Sequence, residues 1–154
     1  MGTEIERKFL VRAELFPAAA RAHGASFVQG YLSIQPSVRL RISMKDGREQ
    51  AWLTVKGPGT IERAEFEYAV PPEDARAMLA LAKATLSKTR HRVPVGAHTW
   101  DVDEFHGAHA GLWLAEVELA RADEAFEQPP WLGEEVSHDP RYTNSALALA
   151  GRPP

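Results

Sequence analysis

The octet Glu4-Ile5-Glu6-Arg7-Lys8-Phe9-Leu10-Val11 places Glu4, Glu6 and Lys8 on one face of an extended chain and Ile5 and Phe9 on the other. The same spacing returns along the sequence. Arg39 and Arg41 stand against Val38, Leu40 and Ile42, and Thr54 and Lys56 stand against Leu53 and Val55. Glu65 and Glu67 oppose Phe66, Tyr68 and Val70, with Arg63 on the charged side. Lys88 and Arg90 oppose Val93, Asp101 and Asp103 oppose Trp100 and Val102, and Glu116 and Glu118 oppose Ala115, Val117 and Leu119. Period-2 alternation predicts about eight strands, near residues 3–10, 27–34, 38–44, 51–56, 61–70, 86–93, 98–105 and 112–119.

Such alternation most often means a half-exposed sheet with its charged face in water. Here the charges come as same-sign pairs, acidic on some strands and basic on others, with few of the Ser, Thr, Asn and Gln residues of a solvated face. Segregated signs point instead to a sheet closed on itself, charged inside and apolar outside, with helices covering the outer face. Eight cations (Lys8, Arg39, Arg41, Lys56, Arg63, Lys88, Arg90, Arg92) then face eight carboxylates (Glu4, Glu6, Glu65, Glu67, Asp101, Asp103, Glu116, Glu118). Charges at that density must be paired, metal-bound or wet. A cavity with a basic and an acidic half suits a polyphosphate carrying a divalent cation, and oxygen-only ligands suit Mg²⁺ or Mn²⁺.

Three helical segments are expected: Pro17 to His23 before Gly24, Pro72 to Ala84 with Glu73 and Asp74 in its first turn, and Ser145 to Ala150 before Gly151. Lys45-Asp46-Gly47-Arg48 predicts a hairpin turn. The class is therefore α+β, an antiparallel barrel in one domain over residues 1–154, a length that supports one core.

No apolar run reaches the ~18 residues of a membrane span. Net charge −3 and pI near 6.1 argue against a general nucleic-acid surface. With no cysteine there is no disulfide, thiolate metal site or cysteine nucleophile. Met1-Gly2-Thr3-Glu4 runs straight into charged strand sequence rather than a secretory leader, so a cytoplasmic protein is expected. His106 and His109 read as solvated loop residues, and most of the four tryptophans as packing on the outer layer. Whether the chain is a monomer or a homodimer is left open.

Read in order, further matches accumulate: Gln29-Gly30-Tyr31, Val38-Arg39-Leu40-Arg41, Leu53-Thr54-Val55-Lys56-Gly57, Arg63-Ala64-Glu65-Phe66-Glu67-Tyr68 and Ser87-Lys88-Thr89-Arg90. Trp100-Asp101-Val102-Asp103, Ala115-Glu116-Val117-Glu118-Leu119 and Arg141-Tyr142-Thr143-Asn144 complete the series. With the opening ExExK pattern, the chain resembles the CYTH group, the triphosphate tunnel metalloenzymes, and in particular their short bacterial tripolyphosphatase-like branch.

The resemblance implies an eight-stranded tunnel that hydrolyses a triphosphate, inorganic tripolyphosphate first, with divalent metal. It assigns Glu4 and Glu6 to one metal that also contacts the triphosphate, and Asp103, Glu116 and Glu118 to a second that positions the attacking water, with Glu118 shared between the two. Phosphate falls to Lys8, Arg39, Arg41, Lys56, Lys88 and Arg90, with Arg63 a further binder and Glu65, Glu67 and Asp101 as tunnel lining. For the general base two readings stand, Lys56 with Tyr31 or a carboxylate such as Glu116. Arg141 is expected to cap the barrel. Adenylate cyclase, thiamine triphosphatase and a non-catalytic polyphosphate sensor are the rival functions.

Overall fold

The computed structural model describes residues 2–154. All strands form one antiparallel sheet in the order β5-β4-β3-β2-β6-β7-β8-β1-β9, and an additional β5–β1 pairing closes the first eight into a barrel. The strands are β1 (Gly2–Val11), β2 (Ala25–Ser33), β3 (Ser37–Lys45), β4 (Arg48–Lys56), β5 (Glu62–Ala69), β6 (Ala84–Val95), β7 (His98–Phe105), β8 (Trp113–Glu118) and β9 (Leu132–Glu135). The helices are α1 (Pro72–Leu79) and α2 (Asn144–Ala150).

The β1 strand is shared among three neighbours. Gly2 to Ile5 pair with β5, Glu6 to Leu10 with β8, and Phe9 and Val11 with β9. The turn at Asp46-Gly47 forms as expected, with φ of 52° and 74°, the left-handed pair of a two-residue hairpin. Register then aligns the charged positions: Arg41 lies opposite Gln29 and Trp52, Arg90 opposite Asp103, Asp101 opposite Glu116, and Lys8 opposite Glu116. These residues share the inward face.

The outer face is apolar, but its cover is only partly helical. Helix α1 packs on β3 and β4 through Ala75, Met78 and Leu79. It stops at Leu79, short of the expected Ala84, because the Lys83 N–H donates to the Tyr31 carbonyl and draws the chain back to the sheet. Gly30 permits this close approach, since a Cβ there would stand 2.7 Å from Leu79 Cδ2 and 2.9 Å from Ala82 Cβ. The segment expected as a helix from Pro17 is only a 3₁₀ turn, Ala18–Arg21. It carries no apolar stripe to anchor a longer helix; the preceding Phe16 supplies the anchor, packed edge-on to Trp131 and tilted against Trp113. Phe126 and Trp131, from a non-helical segment, complete this aromatic layer over Phe9 and Trp100.

Trp100, Trp113 and Trp131 pack in the outer layer as expected, while Trp52 shares the inward register with Thr54 and Lys56. His109 is buried, not solvated; its Nε2 donates to the Leu147 carbonyl at 2.6 Å and ties the β7–β8 connection to α2.

Helix α2 determines the barrel's interior shape. Inward-facing Leu10, Tyr31, Leu86, Phe105 and Leu114 meet Leu147 and Ala148, so an apolar stopper fills one end. Thr143 starts the helix, its hydroxyl accepting from the Ala146 N–H, and Gly151 ends it in the left-handed conformation. Among the described residues no helix is long and apolar enough to cross a membrane.

Candidate active site

Above the stopper lies a cavity of about 200 Å³. Seven cationic and seven carboxylate side chains line it, together with Tyr31, Thr54 and the start of α2 at Thr143, Asn144 and Ser145. Every residue proposed from sequence for metal, phosphate or tunnel lining is on this wall except two. Lys88 and Asp103 are fully buried behind it.

Lys88 Nζ donates to Asp103 Oδ2 at 2.7 Å and to Asn144 Oδ1 at 2.8 Å. Arg90 grips the same carboxylate with two hydrogen bonds, at 2.8 and 3.0 Å. Both Asp103 oxygens are thus committed, and its carboxyl is held well below the usual range because Arg90 and Lys88 outweigh the opposing effect of burial. Burial, with Arg90 and Arg41 nearby, pushes the Lys88 ammonium down to about 7 against the attraction of Asp103. The expected metal ligand and phosphate binder are therefore two parts of one buried brace under Arg90.

On another side of the cavity, Glu4 Oε1 accepts from Lys56 Nζ at 2.7 Å and from Arg63 Nε at 2.9 Å. Glu65 stands 3.5 Å from Lys56 Nζ. Thr54 bridges Arg39 and Glu67, accepting at 3.1 Å and donating at 2.7 Å.

Three cations have looser commitments. Lys8 Nζ donates to the Tyr142 carbonyl, and Arg39 stands 3.5 Å from Glu67 with its buried Nε lacking a partner. Arg41 has only a hydrogen bond from its Nε to Gln29 Oε1, and no ion-pair partner among the described residues. Burial, followed by repulsion from Arg39 and Arg90, pushes the Arg41 guanidinium down to about 9. Gln29 donates in turn to Tyr31 Oη and Asn144 Oδ1, so Tyr31 belongs to a hydrogen-bond chain at the cavity floor.

The acidic wall is a coupled set. Burial raises Glu6 well above its ordinary range, and Glu116 and Glu4 raise it further. Glu116 goes the other way despite burial, held down by Lys8, by its hydrogen bond with Glu6 and by Arg90 and Lys88. The two carboxyls titrate as a pair, and Glu6 keeps its proton to higher pH than Glu116. Glu118 lies directly across from Glu6 on the neighbouring strand.

Oxygen-only donors of this kind fit a hard divalent cation, which relieves the crowding of Glu6 against Glu116. Among the described residues no three acidic or imidazole groups already converge as a closed ligand cage. Arg141 is exposed, bound to Asp139 and away from this cavity.

The upward shift of the Glu6 carboxyl has a measurable consequence. Above the ordinary glutamate range the unfolded chain releases the proton while the folded chain keeps it, so stability falls as pH rises toward the folded value. Glu6→Gln removes that slope. In chelator, its Tm is expected to exceed wild type by more at pH 8 than at pH 5; an equal offset at both would show that Glu6 ionises freely in the fold.

Comparison with known proteins agrees with this architecture. The CYTH domain model matches residues 2–144. A protein of Acetivibrio thermocellus named inorganic triphosphatase is 40% identical over 152 residues, covering 96% of this chain and 94% of that one. One of Nitrosomonas europaea with the same name is 37% identical over 156 residues, covering 96% and 98%. A solved structure described as an inorganic triphosphatase aligns at TM-score 0.65 and 34% identity over 97% of this chain and 96% of that one. With its strand order, inward charges and stoppered barrel, the chain belongs to the CYTH domain family.

Proposed function

We propose that this protein hydrolyses inorganic tripolyphosphate to orthophosphate and pyrophosphate with a divalent cation, Mg²⁺ or Mn²⁺. The observation that carries this reading is the size and lining of the cavity. At about 200 Å³ it lies below the ~300–1,000 Å³ usual for organic ligands, and every residue of its wall is charged or polar. A short bare polyphosphate fits that description better than a nucleotide or thiamine ester. The names of the full-length relatives point the same way.

The chain's own groups divide the work. Arg41, which has no ion-pair partner among the described residues, and the loosely held Arg39 and Lys8 take phosphoryl oxygens, the guanidinium forks in paired hydrogen bonds. Arg90 is fixed from behind by Asp103, and the edge it turns to the substrate is its Nη1, which stands 3.4 Å from Asp101 Oδ2. Glu4, Glu6, Glu116 and Glu118 would hold the cation, which supplies charge neutralisation and a more acidic water. Asp103 is left out of that set because both its oxygens are taken.

Water oxygen bonds to a terminal phosphorus as the bridging P–O bond breaks, and the water proton must be accepted nearby. Glu116, which Lys8, Arg90 and Lys88 hold in its ionised form despite burial, is the acceptor proposed here. Lys56 is tied to Glu4 and Glu65 and serves as a phosphate contact.

The test is a parallel assay of tripolyphosphate, ATP and thiamine triphosphate with Mg²⁺, Mn²⁺ or chelator. Tripolyphosphate with metal is expected to give the highest kcat/KM, with no phosphate released in chelator. Cyclic nucleotide from ATP as the main product would make the chain a cyclase. Tripolyphosphate binding without turnover under any metal would make it a sensor.

A further inference from the structure

Phe27 is a buried aromatic residue with an unusual neighbourhood. Register turns it to the barrel interior, with Ser43 directly opposite on β3 and Lys88 directly opposite on β6. It is only 9% exposed, yet it belongs to none of the three apolar clusters of the fold. Cations take the place of apolar neighbours. The Arg41 guanidinium carbon lies over its ring, 4.6 Å from the centroid, and that of Arg90 lies over it at 5.0 Å. Both arginines line the cavity; Phe27 does not. The ring stands behind them, reached from β3 on one side and β6 on the other.

We propose that Phe27 is a positioning residue whose π face orients Arg41 and Arg90 for phosphate without neutralising them. The proposal rests on the triphosphate reading of the same cavity. A guanidinium bonds phosphate through N–H groups at its edge, whereas an aromatic ring attracts its face. A carboxylate at this position would compete for the edge and cancel the charge that the substrate needs. An aliphatic side chain would fill the space but leave the Arg41 face unattended. Arg41 depends on this contact most, since its one other partner in the barrel is the neutral Gln29. Arg90 already has Asp103 and gains orientation only.

A purely structural role for Phe27 and the positioning role differ in what they do to KM. Phe27→Leu keeps an apolar filler and removes the π face. KM for tripolyphosphate at saturating Mg²⁺ is expected to rise roughly 3–30-fold, the span of losing one or two desolvated cation–π contacts, with kcat close to wild type. The sharper experiment replaces Phe27 site-specifically with mono-, di- and trifluorophenylalanine, which drain the ring face while nearly keeping its shape. Log KM is expected to climb with each fluorine.

The same series at Phe9, where Arg7 lies over the ring at 5.7 Å away from the cavity, serves as the control and is expected to leave KM flat. A flat KM through the Phe27 series, in an enzyme that turns over tripolyphosphate, overturns the inference whatever happens to Tm. Absence of turnover in the wild type overturns the underlying functional reading instead. If Phe27→Leu does not fold, the fluorinated series decides alone.

Discussion

Asp103→Asn is expected to lower stability by about 3–5 kcal/mol, the usual consequence of removing one partner from a buried ion pair. For a chain of this size that corresponds to a Tm drop of roughly 6–20 °C. The cause is what remains: Lys88, fully buried, and Arg90 lose the carboxylate that both contact within 3.0 Å. The pH dependence has a definite sign. Lys88 titrates in the fold near 7, below its ordinary range, so from there up to that range the unfolded chain binds the extra proton and stability rises with pH. Without Asp103, which favours the ammonium, the window opens at still lower pH. Melting curves in chelator from pH 6 to 9 read both effects. An unchanged Tm with activity lost only through weaker metal binding would return Asp103 to the metal site where sequence reasoning put it.

Arg41→Met is expected to separate function from stability in the opposite sense. Removing a fixed charge that meets the developing phosphoryl charge lowers kcat/KM by about 10²–10³-fold. Tm is expected to hold or rise, because burial and repulsion from Arg39 and Arg90 already work against this guanidinium and no carboxylate answers it. Stability and activity commonly oppose each other where a site keeps charge unpaired for its ligand. Calorimetry beside steady-state kinetics tests the pair of outcomes. Loss of both together would mean that Arg41 is chiefly a structural cation.

Strand positions were legible because alternation is a direct image of the pleat, and the pairs Glu4/Glu6, Arg39/Arg41 and Glu116/Glu118 carry it without interruption. The short β9 was not. Leu132–Glu135 has four residues, follows Pro129-Pro130 and includes Gly133, so neither length nor pattern marks it. Gly133 is needed there because a Cβ would stand 2.9 Å from the Leu10 carbonyl oxygen.

Parity correctly turned Lys88 and Asp103 inward, but it says nothing of depth. The tilt of each strand decides which inward side chains meet the cavity and which sink beneath it, and that tilt emerges only when eight strands close. Phe27 was missed for a related reason. Phe27, Gln29 and Tyr31 mix apolar and polar on one face, so β2 lacks the sign contrast that exposes the other strands. The outer cover was misread as helix because Phe16, Phe126 and Trp131 achieve with single large rings what a helical stripe would spread over two turns.

The threefold sharing of β1 also governs how the chain can assemble. Hairpins β2–β3, β3–β4, β4–β5, β6–β7 and β7–β8 each join neighbours in sequence, so they can form from nearby segments. The first strand made has no such neighbour: its partners lie near residues 62, 114 and 132. Loop-closure entropy places those long-range joins last. On the ribosome, the segment bearing Glu4 therefore waits unpaired until β5 has emerged and that bearing Glu6 until β8 has, so the acidic half of the site is stitched together in two late steps.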